Sequence, residues 1–196
     1  MLEVYNAAPI NKVDEAVLFP FDTHSIPFST GLRLQLVPGK TPYNKPPIVL
    51  RRGESGAPDD EKVCFYGTVI DFDGELRMWY QAKSSLDKSG RRLGYAVSQD
   101  GYNWEKPNLG LIEFNGNKNN NIIDLFDGEP CLTSAPIIYD PDDPDPNRRF
   151  KMCIEAHQFI NSLAVAYSPD GLRWTASPNN PVGPAQETGS VVKHNG

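Results

Sequence analysis

The sequence predicts an all-β fold of the β-propeller type, and three observations support this prediction. The motif Ser-x-Asp-Gly-x-x-Trp occurs twice, at residues 98–104 and 168–174, and every matched position is offset by 70 residues. The 16 glycines and 18 prolines among 196 residues are spread between short apolar runs. No segment shows convincing helical spacing of apolar residues, and the one ambiguous run, at 13–19, ends at Pro20. The chain is therefore predicted to repeat a unit of short strands separated by turns.

Each copy of the motif follows a similar series of predicted strands. In the first unit these strands lie at residues 68–72 and 76–80, and in the second at 135–140 and 150–154. An Asp-Gly hairpin and a last strand complete each unit. Four short antiparallel strands in a unit of this length are typical of a propeller blade.

The domain organisation follows from these units. Residues 1–31 are predicted to form an N-terminal extension, and residues 32–196 a partial propeller. Within it, blade 1 covers about 63–110, blade 2 about 131–182, and blade 3 begins at about 187. Three alternating leucines predict one more strand, which would close the ring by pairing with the last blade: Leu32, Leu34 and Leu36. Because a closed propeller needs about four blades or more, the chain is expected to be the N-terminal part of a longer protein.

The Ser, Asp, Gly and Trp residues of the repeated motif are predicted to have a structural role. Glycine accepts a positive φ without steric cost, which suits the Asp-Gly pair to a tight turn. The Ser and Asp side chains can accept hydrogen bonds from backbone N–H groups of the same turn, and the Trp ring can cover it. Asp100 and Asp170 are therefore predicted to form turns and not to catalyse a reaction.

Charge and composition exclude several classes of partner. The net charge is −6 and no cluster of Lys and Arg forms a basic stripe, so nucleic acid is not an expected partner. No apolar run is long enough to span a membrane, and no secretory signal is visible, so the default expectation is a cytoplasmic protein. Three cysteines (Cys64, Cys131 and Cys153) lack the paired spacing of a metal site and are predicted to be thiols, with Cys64 and Cys153 buried in strands. The acidic stretch at 140–147 is predicted to be a solvated hairpin and not a calcium loop, so neither metal nor cofactor is expected.

The repeat, its Met-Trp-Tyr strand and the segment at 104–110 together resemble the five-bladed propeller glycoside hydrolases. More narrowly, the sequence is similar to proteins with a family 32 N-terminal-like domain, which are related to families 43 and 68. The resemblance implies a carbohydrate substrate, hydrolysed by carboxyl groups that line a central funnel. It also implies that these carboxyl groups lie on the innermost strands of successive blades.

Glu187 is the catalytic candidate that the resemblance supports best. The segment at 187–196 is similar to the family 43 segment in which a Glu, the general acid, opens an inner strand that ends in Lys-x-Asn-Gly. The alternative is a solvated loop glutamate. At the second inner strand, Ile137 stands where family 43 places an Asp after Ala-Pro. The first inner strand, at 66–70, also lacks its expected Asp, and Asp60 just upstream is a candidate base or nucleophile; the favoured alternative for Asp60 is an ordinary acidic loop.

Two further residues are candidates for substrate binding. Trp79 could stack on a sugar ring, although core packing is the favoured interpretation because side chains of a strand alternate between its faces. His157 could face the funnel, although a lone histidine at the end of a strand is more often packed and hydrogen-bonded. Two functions remain open on this sequence: a glycoside hydrolase, and a propeller that binds carbohydrate or protein without turnover.

Overall fold

Short, mostly antiparallel strands form the regular structure of the described residues. The computed structural model describes residues 2–4, 11–13, 48–132, 134–184 and 189–193. The chain divides into two compact units, Met1–Pro42 and Tyr43–Gly196. The strand predicted at Leu32, Leu34 and Leu36 lies outside the described residues, and so does Glu187.

Eleven strands occur in the described residues, and two of them form a small antiparallel pair in the first unit. In chain order the strands are β1 (Leu2–Val4), β2 (Asn11–Val13), β3 (Lys62–Phe72), β4 (Glu75–Lys83), β5 (Arg92–Ser98), β6 (Asp124–Leu125), β7 (Ile137–Tyr139), β8 (Phe150–Ile154), β9 (Ser162–Ser168), β10 (Arg173–Ala176) and β11 (Gly183–Pro184). The described helical structure consists of two three-residue 3-10 turns, Pro146–Arg148 and His157–Phe159. The all-β prediction is therefore confirmed for the part of the chain that the structure describes.

The first sheet of the second unit has the strand order β3-β4-β5, with antiparallel neighbours. A tight turn at Asp73 and Gly74, both with positive φ, joins β3 to β4. Val97 of β5 also forms a bridge with Glu105, which follows the first Asp-Gly turn. Glu105 therefore lies where a fourth strand of this sheet would pair with β5. The strands predicted at 68–72 and 76–80 are thus present, as parts of β3 and β4.

The second sheet has the order β6-β10-β9-β8-β7, and β11 pairs with β9 beside β10. Strands β7 to β10 follow one another antiparallel, as the sequence predicts, and β6 adds a parallel partner to β10. Strand β8 alternates fully buried with half-buried positions, which is the period-two pattern of a sheet that packs on one face.

The largest hydrophobic core lies between these two sheets. Trp79 of β4 is fully buried there, with its ring centroid 5.5 Å from Tyr95 and 6.0 Å from Phe150. Its indole Nε1 donates a 2.7 Å hydrogen bond to the carbonyl of Gly171, in the turn of the second motif. A smaller cluster on the other face of the first sheet contains Met78 and Tyr80.

The two copies of the repeated motif have the same hydrogen bonds. In the second copy, Ser168 Oγ accepts from Gly171 N at 2.8 Å, and Asp170 Oδ1 accepts from the N–H groups of Leu172 and Arg173. The Trp174 indole then donates to the Gly171 carbonyl at 3.0 Å. The first copy repeats this set position for position. The structural role predicted for Asp100 and Asp170 is therefore confirmed.

Candidate functional site

Strands β3 and β7 are neighbours, and β7 begins level with Thr68, in the middle of β3. Tyr66 O accepts from Ala135 N at 3.1 Å, and two residues further along each strand Thr68 Oγ1 accepts from Ile137 N at 2.8 Å. Both strands advance together between these contacts, so they run in the same direction side by side. We call the end at which β3 begins the mouth; β4 and β8 run towards it, because each is antiparallel to its neighbour.

Asp60 lies at the mouth, just before β3, and four donors surround its carboxylate. Oδ2 accepts from Gly56 N at 2.9 Å and from Ser85 Oγ at 2.7 Å. Oδ1 accepts from Ser85 N at 2.7 Å and from Ser84 Oγ at 3.1 Å. The Ser85 and Gly56 N–H groups, helped by the serine hydroxyls, hold the pKa of Asp60 far below its ordinary value. Asp60 is consequently ionised and cannot donate a proton as a general acid, and its acceptor positions are occupied in holding two loops together.

Glu61 is the second carboxylate at the mouth, and a lysine engages it. Its Oε1 lies 2.9 Å from Lys83 Nζ, the last residue of β4. The hydrogen bond from Lys83 lowers the pKa of Glu61. Both side chains are well exposed, so the pair contributes little to stability, but it leaves Glu61 ionised.

Asp59 is the buried carboxylate of this region, with a side chain only 2% exposed. It accepts from Gly53 N at 3.0 Å and from Tyr80 OH at 2.9 Å, and it forms an ion pair with Lys106. Asn121 Nδ2 donates in turn to Tyr80 OH at 2.8 Å. Burial, followed by the Asp59 charge, raises the pKa of Tyr80 well above its ordinary value, so the phenol stays neutral and donates to Asp59.

Between the acidic residues and the core, β3 departs from a regular strand. The register pairs Cys64 with Gln81 and then Thr68 with Trp79, so three residues of β3 stand opposite one residue of β4. This is a β-bulge, which carries Phe65, Tyr66 and Gly67. The bulge was not predicted from the sequence. Two successive aromatic residues before a glycine break the alternation of a strand and are the signal that could have indicated a bulge.

The first residues of β3 also line a cavity of about 770 Å³. Its wall carries charged and polar side chains, among them Arg52, Asp60, Glu61, Lys62 and Ser85. This volume falls within the range of small-molecule sites, about 300–1,000 Å³. Aliphatic side chains line the rest of the wall. The polar part of the wall is suited to hydroxyl-rich ligands, which both donate and accept hydrogen bonds.

The remaining candidates lie in different surroundings. Trp79 is buried in the core, so its ring has no free face on which a sugar could stack. His157 lies beyond the end of β8 in the second 3-10 turn and is exposed. Ile137 begins β7 and is buried, as an apolar residue at that position requires. Glu187 lies outside the described residues, and its catalytic role stays a prediction.

Metal-ligating groups and thiols are further side chains that could form a functional site. In the described ranges, no group of three or more His, Cys, Asp or Glu is placed to hold a metal ion. Cys131 is fully buried, and burial raises its pKa to about 12, so the thiol is unreactive. Cys64 and Cys153 are half-buried, which differs from the prediction that both are buried. No helix in the described part of the chain has the length and apolar character of a membrane span.

Comparison with known proteins gives structural matches only. No family model matches the chain, and no curated protein does. A candidate glycoside hydrolase from Parabacteroides distasonis is 19% identical with a TM-score of 0.48; the match covers 74% of this chain and 42% of that one. A candidate glycoside hydrolase from Bacteroides ovatus is 22% identical with a TM-score of 0.44, and covers 70% and 41%.

A third solved structure is a fructofuranosidase variant from Schwanniomyces occidentalis in complex with fructosylnystose. It is 20% identical with a TM-score of 0.47, and the match covers 71% of this chain and 27% of that one. The chain therefore spans less than half the length of each of these three proteins. Two of these proteins are named as glycoside hydrolases and the third as a fructofuranosidase, and the sequence resembles glycoside hydrolases as well.

Proposed function

We propose that this chain is part of a glycoside hydrolase-like β-propeller, in which the two larger sheets are successive blades. The observation that carries the proposal is the parallel course of β3 and β7, with Tyr66 O 3.1 Å from Ala135 N. In a propeller the first strands of neighbouring blades lie side by side around a central funnel. The mouth is then the opening of that funnel, and the segments before β3 and β7 line it.

The domain boundaries belong to the same proposal. Blade 1 extends over about 63–110 and ends with the segment that Glu105 joins to β5 by a bridge to Val97. Blade 2 extends over about 131–182 and contains β7 to β10. A third blade begins at about 187, and the rest of the ring lies beyond the two sheets.

Glu187 is the general acid of the proposed reaction. Hydrolysis of a glycosidic bond needs one carboxylic acid that protonates the leaving oxygen, and a second carboxylate that acts as base or nucleophile. Asp60 and Glu61 do not suit the role of the acid, because their pKa values are lowered and they stay ionised. The proposal therefore assigns the acid to Glu187, which the resemblance places at the start of another inner strand.

Replacement of Glu187 by Gln in the full-length protein tests this role. The amide keeps the shape of the side chain but cannot supply the proton, so the kcat for sugar release should fall by roughly 10²–10⁴-fold. The measurement is the release of reducing sugar from a panel of neutral oligosaccharides, with the affinity of each substrate measured alongside. Glu113→Gln is the matched control, because Glu113 is an exposed glutamate on the connector between the two sheets. Unchanged turnover in E187Q, with E113Q also unchanged, would contradict the acid assignment.

The second candidate function is binding of carbohydrate or protein without turnover. The observation that favours it is that the three carboxylates just before β3 are already engaged, Asp59 by Lys106, Asp60 by four donors and Glu61 by Lys83. A wild-type protein that binds a glycan in calorimetry but releases no product from it would favour this function. Product release that depends on Glu187 would exclude it.

A further inference from the structure

The bulge in β3 requires a glycine at position 67. A Cβ atom on Gly67 would lie 1.9 Å from the backbone oxygen of Trp79, far inside van der Waals contact. Only glycine permits this approach of two backbones. Since Trp79 is fixed in the core and Tyr66 O is bonded to Ala135 N, the bulge is held in place from both sides.

The bulge presents two large aromatic side chains to solvent. Phe65 is 60% exposed and Tyr66 is 54% exposed, although they are consecutive. In a regular strand consecutive side chains point to opposite faces, so one of the two would be directed to the covered face of the sheet. Bulges commonly re-aim side chains beside functional sites, and an exposed pair of aromatic residues is a more informative feature than a single exposed apolar one.

The surroundings of the pair favour a carbohydrate over another sheet. Packing of one sheet on another depends on regular alternation along both strands, and the bulge interrupts it at Phe65 and Tyr66. The start of the same strand, at Lys62 and Val63, lines the 770 Å³ cavity, whose wall carries both polar and apolar side chains. Carbohydrate rings need both features, because their C–H faces meet the negative face of an aromatic ring while their hydroxyl groups need donors and acceptors.

We propose that Phe65 and Tyr66 form an aromatic platform on which one ring of a neutral oligosaccharide stacks, at the mouth of the proposed funnel. This inference rests on the proposed function, and it names a binding site that the proposed chemistry does not require. The platform binds the sugar through its ring faces, and the polar side chains at the start of β3 take up neighbouring hydroxyl groups.

Calorimetry on the full-length protein tests the platform. The probes are neutral hexasaccharides of glucose, xylose, arabinose and fructose, and the tightest-bound of them is used for the variants. Phe65→Ala and Tyr66→Ala should each weaken binding by about tenfold, as truncation of an aromatic anchor does. Tyr66→Phe keeps the ring and should retain the affinity. Val69→Ala is the control, because Val69 lies on the same strand outside the bulge and is 39% exposed.

Thermal unfolding distinguishes a sugar-binding role of Phe65 and Tyr66 from a role in packing against protein. A sugar-binding pair leaves the Tm of the two alanine variants within about 2 °C of the wild type. A fall in Tm without any loss of affinity would show that the pair packs against protein, and would overturn the proposal. Failure of the wild type to bind any of the four hexasaccharides would also overturn it.

The two proposals fail in different ways. Loss of turnover in E187Q, with unchanged affinity in the Phe65 and Tyr66 variants, would contradict the platform proposal and support the hydrolase proposal. Weakened binding in those variants, with unchanged turnover in E187Q, would contradict the assignment of Glu187 as the acid and support the platform proposal.

Discussion

At the scale of single residues, Asp59 is the carboxylate whose environment matters most, because it is buried beside a lysine. Its side chain is 2% exposed and that of Lys106 is 23% exposed. Removal of one partner of a buried ion pair leaves the other charge uncompensated, which costs about 3–5 kcal/mol. Asp59→Asn should therefore lower the free energy of unfolding more strongly than a surface substitution does.

A double-mutant cycle measures how tightly this pair is coupled. Lys106→Met removes the charge but keeps most of the apolar stem, so D59N combined with K106M leaves no unpaired charge. The coupling energy, from denaturant unfolding of the wild type, two single variants and the double variant, should be about 1–3 kcal/mol. Strictly additive single effects would show that Asp59 and Lys106 do not stabilise each other.

The sequence could indicate only part of this network. The acidic run at 59–61 predicts a loop, and the structure confirms that Asp60 holds one. What separates Asp59 from its neighbour is contact with Tyr80 and Lys106, which lie 21 and 47 residues away in sequence. Contacts of that range depend on how the sheet folds back on itself, and no local pattern records them.

At the scale of the structural element, the two Asp-Gly turns offer a matched pair of substitutions. Gly101 and Gly171 have nearly equal φ angles, +72° and +76°, so alanine pays about 1–2 kcal/mol for the left-handed conformation at either position. A Cβ atom on Gly171 would also lie 2.7 Å from Trp79 Cζ2, whereas one on Gly101 would meet Leu76 at 3.4 Å. Gly171→Ala should therefore be the more destabilising, by about 1–3 kcal/mol.

Denaturant unfolding of both variants gives the comparison directly. Equal losses of stability in G101A and G171A would mean that the second turn does not pack on Trp79 as closely as the hydrogen bond from Trp79 to Gly171 indicates. Each variant serves as the control for the other, because the two turns share their sequence pattern and the hydrogen bonds within the motif. They differ mainly in the side chain that packs on the glycine, which is Leu76 at Gly101 and Trp79 at Gly171.

The same contrast explains what the sequence could predict about the elements. The strands, their order within each unit and the turn chemistry follow from period-two alternation and from Ser, Asp and Gly at fixed spacing, which are local signals. The bulge at Phe65 and Tyr66 was missed because it arises from pairing with β4 and not from β3 alone. The parallel contact between β3 and β7 likewise joins residues about 70 positions apart, and only the repeat hinted at it.

At the scale of the whole molecule, the folded state is stabilised by carboxylates whose pKa values are lowered. These carboxylates are Asp60, Glu61, Asp87, Asp100, Asp140, Asp143 and Asp170. Hydrogen bonds from Lys151 and then Lys193 lower the pKa of Asp140 to about 2, from an ordinary 3.8. A group with a lowered folded pKa stabilises the folded state above its unfolded pKa, and this contribution is lost as the pH falls through the folded value.

The free energy of unfolding should therefore be nearly constant between about pH 5 and pH 7 and should decrease steadily towards about pH 2. Urea unfolding at a series of pH values measures this pH dependence.

Asp100→Asn isolates the contribution of a single carboxylate to the free energy of unfolding. The asparagine side chain can still accept hydrogen bonds from the turn but does not titrate, since it is an amide. The stability difference between the wild type and D100N should be largest above pH 5 and should narrow as Asp100 becomes protonated. A difference that does not change with pH would mean that the turn is stabilised by the shape of the side chain and not by its charge. The same test at Asp170 would then show whether both turns of the repeat depend on charge equally.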